Sequence, residues 1–213
     1  MNNPQNKDFW DSRYIDETTG WDLGTVSTPI KEYVDQLEDK TVSILIPGAG
    51  NSHEAEYLHD LGFINVSVID ISKHPLDNIV KRVPSFPTKN LIHDDFFNHD
   101  GEYDIIIEQT FFCALNPSFR VAYVNKMHDL LKPNGKIIGL MFNDVLNEDR
   151  PPFGGNPEEY RNLFSSKFEI KTMKTAHNSV ESRVGRELFI NFRKFNYFSL
   201  WIFKFKLKCQ IQM

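Results

Sequence analysis

The stretch that decides the fold is VSILIPGAG at residues 42–50, in which an apolar run leads into a Gly-rich turn. A helix-like segment follows, and a second apolar run then ends in Asp70. A strand, a Gly-rich turn, a helix and a second strand ending in an acid form a unit that binds nucleotide cofactors. Gly48 and Gly50 allow a tight turn and a close approach of the backbone to a ligand, while Asp70, about 20 residues later, can accept hydrogen bonds from a ribose diol. The stretch therefore predicts a nucleotide-cofactor site.

The residues after Gly50 bear on the kind of cofactor. A dinucleotide-binding turn places a third Gly or Ala where the helix N-terminus meets a pyrophosphate, whereas Asn51, Ser52 and His53 follow here. A pyrophosphate ligand, as in an NAD-dependent oxidoreductase, is therefore disfavoured. S-adenosylmethionine carries a ribose and an amino acid but no phosphate, and it fits better. On these residues alone, a plain tight turn in another α/β domain stays an alternative.

Composition limits the class of protein and of partner. A chain of 213 residues with 40% hydrophobic residues can form one domain with a substantial core. The formal net charge of −5 disfavours a nucleic-acid substrate and favours a small molecule. The two cysteines, Cys113 and Cys209, make neither a disulfide framework nor a metal set, and the histidines show no metal-binding spacing. Without a secretory signal or a membrane-spanning segment, we expect a cytoplasmic monomer that binds no metal.

The apolar pattern predicts an α/β fold, because strand-like runs alternate with amphipathic segments as in a mostly parallel sheet with helices on both faces. The predicted strands are 43–46, 66–69, 91–92, 103–108, 136–141, 168–173 and 187–195, and the predicted helices are 29–37, 53–61, 76–83, 119–131 and 157–164. We expect a single domain over residues 1–196 with an N-terminal lid. The aromatic and basic tail at 197–213 is open to three interpretations: an edge strand, an appended segment, or a surface that binds a membrane interface or a partner.

Ligands of open α/β sheets bind outside the carboxyl ends of the strands. The residues at those ends are Gly48, Gly50, Asp70, Asp94, Asp95, Phe96, Glu108, Gln109 and Thr110. Asp95 can hold an adenine edge while Phe96 packs on the adenine face, and Glu108 lies where the amino-acid end of the cofactor would pass. Each acid alone is equally well explained as a helix cap or a solvated loop residue. Their convergence at one edge predicts a site.

Aromatic residues form a second group. Trp10, Tyr14 and Trp21 precede the first core strand. A sulfonium cofactor is a cation attracted to aromatic faces, and methyl transfer benefits from the exclusion of water, so these rings predict a lid over the cofactor. Phe111 and Phe112 follow a later strand, where ordinary core packing also explains them.

Several segments together resemble a known family: FWDSRY at 9–14, GWDLG at 20–24, PGAG at 47–50, DIS at 70–72, DFF at 95–97, EQTFFCALNP at 108–117 and PPF at 151–153. They are similar to the thiopurine S-methyltransferase superfamily, and most of all to the plant halide and thiocyanate methyltransferases. The resemblance extends over roughly residues 8–195 and is most specific in GWDLG and TFFCAL.

The resemblance implies a class I, Rossmann-like three-layer methyltransferase fold. Its members transfer a methyl group from S-adenosylmethionine, leaving S-adenosylhomocysteine, to a small soft nucleophile such as a thiol, hydrosulfide, thiocyanate or halide. By this likeness Trp10 and Tyr14 close over the cofactor, Gly48 approaches its amino-acid part, and Asp70 binds the ribose. Asp95 and Phe96 border the adenine. Two positions depart from the family: Tyr14 replaces a second Trp, and Gln109 replaces a Tyr or an Arg.

An in-line displacement by a soft anion needs no strong base, so positioning and desolvation can supply most of the acceleration. A donor that stabilises the anion would help, and Gln109, Thr110 and Arg120 are the candidates. Arg120 is equally well explained as a solvated helix residue. A catalytically impaired protein of the same fold that binds the cofactor or a partner stays an alternative function.

Overall fold

Seven strands form one sheet in the computed structural model, which describes residues 6–195. The strands are β1 Ile44–Pro47, β2 Val66–Asp70, β3 Leu91–His93, β4 Tyr103–Gln109, β5 Leu131–Phe142, β6 Phe168–Thr175 and β7 Glu187–Lys194. Their order is β3-β2-β1-β4-β5-β7-β6, and β7 runs antiparallel to both of its neighbours while the other pairs are parallel. The predicted mostly parallel sheet is confirmed.

The described residues contain six α-helices, five of which cover the sheet. The six helices are α1 Lys7–Ile15, α2 Thr28–Val34, α3 His53–Asp60, α4 Lys73–Arg82, α5 Arg120–Leu130 and α6 Pro157–Phe164. Apolar side chains of α2, α3 and α4 pack in one core cluster, and those of α5 and α6 pack in the other. These are the two outer layers of a three-layer α/β sandwich.

The central strands read as unbroken apolar runs because both of their faces are buried. In β1, Ile44 and Ile46 belong to the cluster under α2, α3 and α4, whereas Leu45 belongs to the cluster under α5 and α6. The same alternation recurs in β4, where Ile105 faces the first cluster and Ile106 the second. Successive side chains of a strand point to opposite faces, so β1 and the 105–107 run of β4 are apolar at every position.

Two elements differ most from the predicted ones. Helix α1 was not among the predicted helices, because it buries no residue and its sequence shows no apolar periodicity. Asn6 caps its N-terminus by accepting a hydrogen bond from the Asp8 backbone N–H. Strand β5 begins at Leu131, five residues before the predicted start at residue 136. The tail at 197–213 lies outside the described residues. Among the helices of residues 6–195, none is long and apolar enough to cross a membrane.

Candidate active site

A cavity of about 550 Å³ opens at the carboxyl ends of β1, β2, β4 and β5. Its wall includes ten of the twelve site residues predicted from the sequence: Trp10, Tyr14, Trp21, Gly48, Gly50, Asp70, Asp95, Phe96, Gln109 and Thr110. The other two, Glu108 and Arg120, do not line it. Residues that lie up to a hundred positions apart in the chain thus meet around one space.

The Gly-rich turn after β1 requires glycine for two reasons. Gly48 and Gly50 both have φ of +53°, a region that residues with a side chain rarely adopt. A Cβ atom at Gly48 would lie 1.9 Å from Cδ2 of Phe111, in the loop after β4. A Cβ at Gly50 would come within 3.4 Å of Trp21 Nε1 and of the Tyr14 hydroxyl. The turn therefore lies directly against the side chains around it.

Asp70 ends β2 with its carboxylate on the cavity wall. One carboxylate oxygen accepts the Gly50 backbone N–H at 3.1 Å, and the other accepts the Ser72 backbone N–H at 2.8 Å. Burial raises the pKa of Asp70 to about 6. Each oxygen keeps a second acceptor site, so the oriented carboxylate can receive hydroxyl donors such as those of a ribose.

Asp95 and Phe96 follow β3, the strand next to β2. The Asp95 carboxylate accepts the Phe97 backbone N–H at 2.9 Å, which holds it in a turn beside the cavity. Phe96 is buried, and its ring meets the Phe111 ring edge to face with centroids 5.1 Å apart. An acceptor group and an aromatic ring thus lie at the strand end adjacent to Asp70.

Three rings form an aromatic cluster on the cavity wall: Trp10 and Tyr14 from α1, and Trp21 from the segment after it. Trp21 meets the other two edge to face, with centroid distances of 5.5 Å to Trp10 and 5.9 Å to Tyr14. Burial, followed by the charges of Asp70 and Asp22, raises the pKa of Tyr14 far above its ordinary value. The Tyr14 hydroxyl therefore stays protonated at neutral pH.

The segment after Trp21 is tied to the start of α3. Asp22 binds Nε2 of His53 at 2.8 Å and accepts a hydrogen bond from the Asn51 side chain. Burial raises the pKa of Asp22, but hydrogen bonds from Gly24, Asn51 and His53 together lower it below its ordinary value. Asp22 and His53 line the cavity and were not assigned a role from the sequence, although the GWDLG motif contains Asp22.

On the other side of β1 from Asp70, the loop after β4 forms part of the cavity wall. Thr110 has φ of +58°, a strained conformation for a β-branched residue. The Cys113 thiol donates to the Thr110 carbonyl at 3.2 Å, and burial raises the pKa of that thiol. The Gln109 Oε1 atom is buried and has no hydrogen-bond partner among residues 6–195. This part of the wall thus offers an amide with an unpaired oxygen, close to an apolar wall that includes Phe142.

Glu108 lies behind the cavity wall, so it cannot meet a cofactor as the sequence suggested. It is fully buried and accepts the backbone N–H groups of Phe111 at 2.8 Å and Phe112 at 2.9 Å, as well as the Tyr123 hydroxyl. Burial raises its pKa to about 7. Successive side chains of a strand point to opposite faces, so Glu108 and the next residue, Gln109, point to opposite faces of β4. Its carboxylate fixes the loop that carries Thr110.

Arg120 also lies away from the cavity. Its guanidinium pairs with Glu159 of α6, donates to the Gly154 carbonyl at 2.6 Å, and lies 4.8 Å over the Phe112 ring. The side chain is buried, in contrast to the solvated alternative, and it supports the loop between β5 and α6 from behind. The position gives it no route to a methyl acceptor. Within residues 6–195, no cluster of His, Cys, Asp or Glu is arranged to hold a metal ion.

The sequence is similar to those of known methyltransferases. The model of the thiopurine S-methyltransferase family matches residues 5–192. Thiocyanate methyltransferase 1 of Brassica oleracea is 26% identical over 193 residues, which cover 88% of this chain and 85% of that protein. A protein of Arabidopsis thaliana named "Probable thiol methyltransferase 2" is 28% identical over 84% of this chain and 81% of its own. Thiopurine S-methyltransferase of Acinetobacter baylyi is 23% identical over 78% of this chain and 87% of its own.

Solved structures show the same fold. A 1,6-didemethyltoxoflavin-N1-methyltransferase of Burkholderia thailandensis, with bound S-adenosylhomocysteine, superposes with a TM-score of 0.69 at 16% identity, over 89% of this chain and 87% of that one. Magnesium protoporphyrin IX methyltransferase of Synechocystis, with bound S-adenosylmethionine, gives 0.69 at 14% identity, over 91% and 98%. With the family match over most of its length, the chain belongs to the thiopurine S-methyltransferase family of S-adenosylmethionine-dependent methyltransferases.

Proposed function

We propose that this enzyme methylates a small soft nucleophile, foremost a thiolate, hydrosulfide or thiocyanate, by in-line displacement within the cavity described above. The observation that carries the proposal is the arrangement of two unlike ends in one space. Asp95, Asp70 and the Gly-rich turn follow the adjacent strands β3, β2 and β1, and Gln109, Thr110 and Cys113 follow β4 on the other side of β1. The plant relatives, named for thiocyanate and thiol methylation, support the same acceptor class.

The residues present fit S-adenosylmethionine. In this proposal Asp70 accepts hydrogen bonds from the ribose, Asp95 and Phe96 border the adenine, and the turn at Gly48 and Gly50 lies along the amino-acid part. The aromatic cluster acts as the predicted lid, because aromatic faces attract a cation and exclude water around it. The bound cofactor supplies an electrophilic methyl group on a positively charged sulfur.

The acceptor end is suited to a nucleophile that arrives as an anion. Gln109 offers amide N–H groups beside the apolar wall, so it can orient a small anion, whereas the Thr110 hydroxyl already donates to the Gln109 backbone carbonyl at 2.7 Å. Arg120 does not contact the acceptor; it and Glu108 position the loops that form this end. Acceleration then comes from orientation and from removal of water rather than from a base.

The cofactor arm of the test is thermal unfolding with S-adenosylhomocysteine or NAD at matched excess. A ligand at about 100 times its dissociation constant stabilises the protein by about 2.7 kcal/mol. A rise in Tm with S-adenosylhomocysteine alone supports the proposal. A rise with NAD alone, as an oxidoreductase would give, contradicts it.

The acceptor arm follows methyl transfer to hydrosulfide, thiocyanate, iodide and a small thiol. Turnover of at least one of them supports the proposal. Binding of S-adenosylhomocysteine without turnover of any would favour the alternative, a catalytically impaired protein of this fold.

We further propose a single domain over residues 1–196 and a monomer that acts in a reducing, cytoplasmic setting without nucleic acid. The buried free thiol of Cys113 and the net charge of −5 support these points. Size-exclusion chromatography with light scattering tests the monomer, and a dimer would overturn it.

A further inference from the structure

Arg183 links the turn before β7 to the aromatic cluster on the cavity wall. It belongs to a short turn, Glu181–Arg183, just before β7, and lines the cavity. Its side chain is only 9% exposed, so its positive charge has to be compensated by protein groups. The hydrogen bonds of the guanidinium therefore indicate what the residue does.

The guanidinium divides its bonds between the sheet and the aromatic cluster. One terminal nitrogen donates to the Glu187 carboxylate at 3.2 Å, and the other donates to the Trp21 backbone carbonyl at 2.8 Å. Glu187 is the first residue of β7, is paired in register with Phe142 of β5, and has a side chain that is 3% exposed. The sheet thus fixes Glu187, Glu187 fixes Arg183, and Arg183 fixes Trp21.

The next residue is held by another element. Asp22 is bound by His53 and Asn51 at the start of α3. The dipeptide Trp21–Asp22, here called the bridge, is therefore bound at two points, at its carbonyl by the turn before β7 and at its carboxylate by the start of α3. Trp10 and Tyr14 belong to α1, which buries no residue, and both meet the Trp21 ring. Trp21 thus joins a ring of the cluster to a buried charged side chain.

We propose that Arg183 is a positioning residue that holds the Trp21 ring over the cofactor by binding its backbone carbonyl. The inference rests on the proposed function only in placing the cofactor beneath the aromatic cluster. An arginine is required because its planar fork can serve two acceptors in fixed directions, whereas the lysine ammonium is a point charge on a flexible stem. Arg183 acts through Trp21, so its loss affects cofactor binding more than acceptor binding.

The test compares Arg183→Lys with the wild-type protein. The lysine keeps a positive charge beside Glu187 but cannot form the simultaneous hydrogen bond to the Trp21 carbonyl. Calorimetry should show S-adenosylhomocysteine affinity about tenfold weaker, as expected for loss of one hydrogen bond from a charged group. Fluorine NMR of fluorotryptophan-labelled protein, with the Trp21 signal assigned by Trp21→Phe, should show that signal shifted or broadened without ligand. The KM for S-adenosylmethionine should rise while the KM for the acceptor changes less than about twofold.

The matched control is Arg193→Lys. Arg193 lies on β7 itself and donates to Asn134 at the far end of the strand, away from the cavity. This control should leave affinity and the Trp21 signal unchanged.

A second variant guards against a folding defect. Arg183→Met combined with Glu187→Leu removes both charges of the buried pair, and such replacements by apolar groups of similar volume are often tolerated. It lacks the donor to Trp21 and should reproduce the weaker binding and the altered Trp21 signal.

Three results would overturn the inference. One is weaker cofactor binding with an unchanged Trp21 signal, which would mean that Arg183 acts directly on the ligand. Another is an altered signal with unchanged affinity, and the third is a selective rise in the acceptor KM. Failure of the wild-type protein to bind S-adenosylhomocysteine would instead contradict the proposed function, so the two failures are distinguishable.

Discussion

Two parts of the cavity wall are built from contacts of very different reach along the chain. In the first part, the carboxylate of Asp70 binds backbone groups only 2 and 20 residues away. In the second part, the bridge is held by His53, 31 residues away, and by Arg183, 162 residues away. The first part is local and belongs to one strand-turn-helix-strand unit. The second exists only once the whole sheet has formed.

That difference explains what could be predicted from the sequence. Apolar periodicity and the Gly-rich turn predicted the sheet, and the position of Asp70 at a strand end placed it at the cavity, because these features depend on neighbours in the chain. Arg183 carried no comparable signal, since nothing near residue 183 indicates that it meets Trp21. Helix α1 was missed for a related reason: it packs ring edges rather than an apolar face.

Glu108 and Arg120, the two residues whose positions were wrongly predicted, show the same dependence on contacts that are distant in the chain. Glu108 and Arg120 have charged side chains near the predicted site, and sequence alone assigned them to its surface. Both are buried and compensated by groups behind the loops, Glu108 by Tyr123 and two backbone N–H groups, and Arg120 by Glu159. A charged side chain faces either the cavity or the protein interior behind it, depending on the side of the strand or helix that carries it. A shift of one residue along the strand or helix changes that side.

The largest expected effect is at the Gly-rich turn, where the first part of the wall meets the loop after β4. Gly48→Ala should lower the free energy of unfolding by about 4 kcal/mol, because it combines left-handed backbone strain with displacement of the Phe111 ring. Denaturant unfolding measures the change. The control is Gly62→Ala, where φ is +82° but no atom lies within 4 Å of the new Cβ. Equal losses for both variants would show that crowding by Phe111 contributes nothing.

The local part of the wall is tested by Asp70→Ala. Loss of a buried acceptor should weaken S-adenosylhomocysteine binding by roughly 1 to 3 kcal/mol, measured by calorimetry. Asp77→Ala is the control, since Asp77 is exposed on α4 and pairs with Lys73. Unchanged affinity in Asp70→Ala would remove Asp70 from the cofactor site.

The contribution of Glu108, which lies behind the acceptor end, is tested by measuring stability as a function of pH. Burial raises the pKa of Glu108 to about 7, above its ordinary value, so its contribution to stability is full at acid pH and is lost as pH rises through about 7. The wild-type free energy of unfolding should therefore fall between about pH 5 and pH 8, and Glu108→Gln should remove about 2 kcal/mol of that fall. Denaturant unfolding across this range measures both. An identical pH profile in the variant would mean that Glu108 does not titrate in this window.

The smallest effect on binding is expected at Gln109, the departure from the plant enzymes. Gln109→Tyr should change the ratio of kcat/KM values between hydrosulfide and thiocyanate by about tenfold, since a polar contact to the acceptor discriminates by about 1.4 kcal/mol. S-adenosylhomocysteine affinity should change by less than about 1 kcal/mol. Steady-state kinetics with both acceptors measures the ratio. If neither quantity changes, position 109 does not face the acceptor.

The most direct test of the central claim is to supply S-adenosylmethionine with an isotope-labelled methyl group together with hydrosulfide, thiocyanate or iodide, and to analyse the headspace by gas chromatography and mass spectrometry. We predict a labelled methylated product from at least one acceptor, formed in equal amount with S-adenosylhomocysteine. Protein that binds S-adenosylhomocysteine yet yields no labelled product from any of these acceptors or from a small thiol would contradict the account.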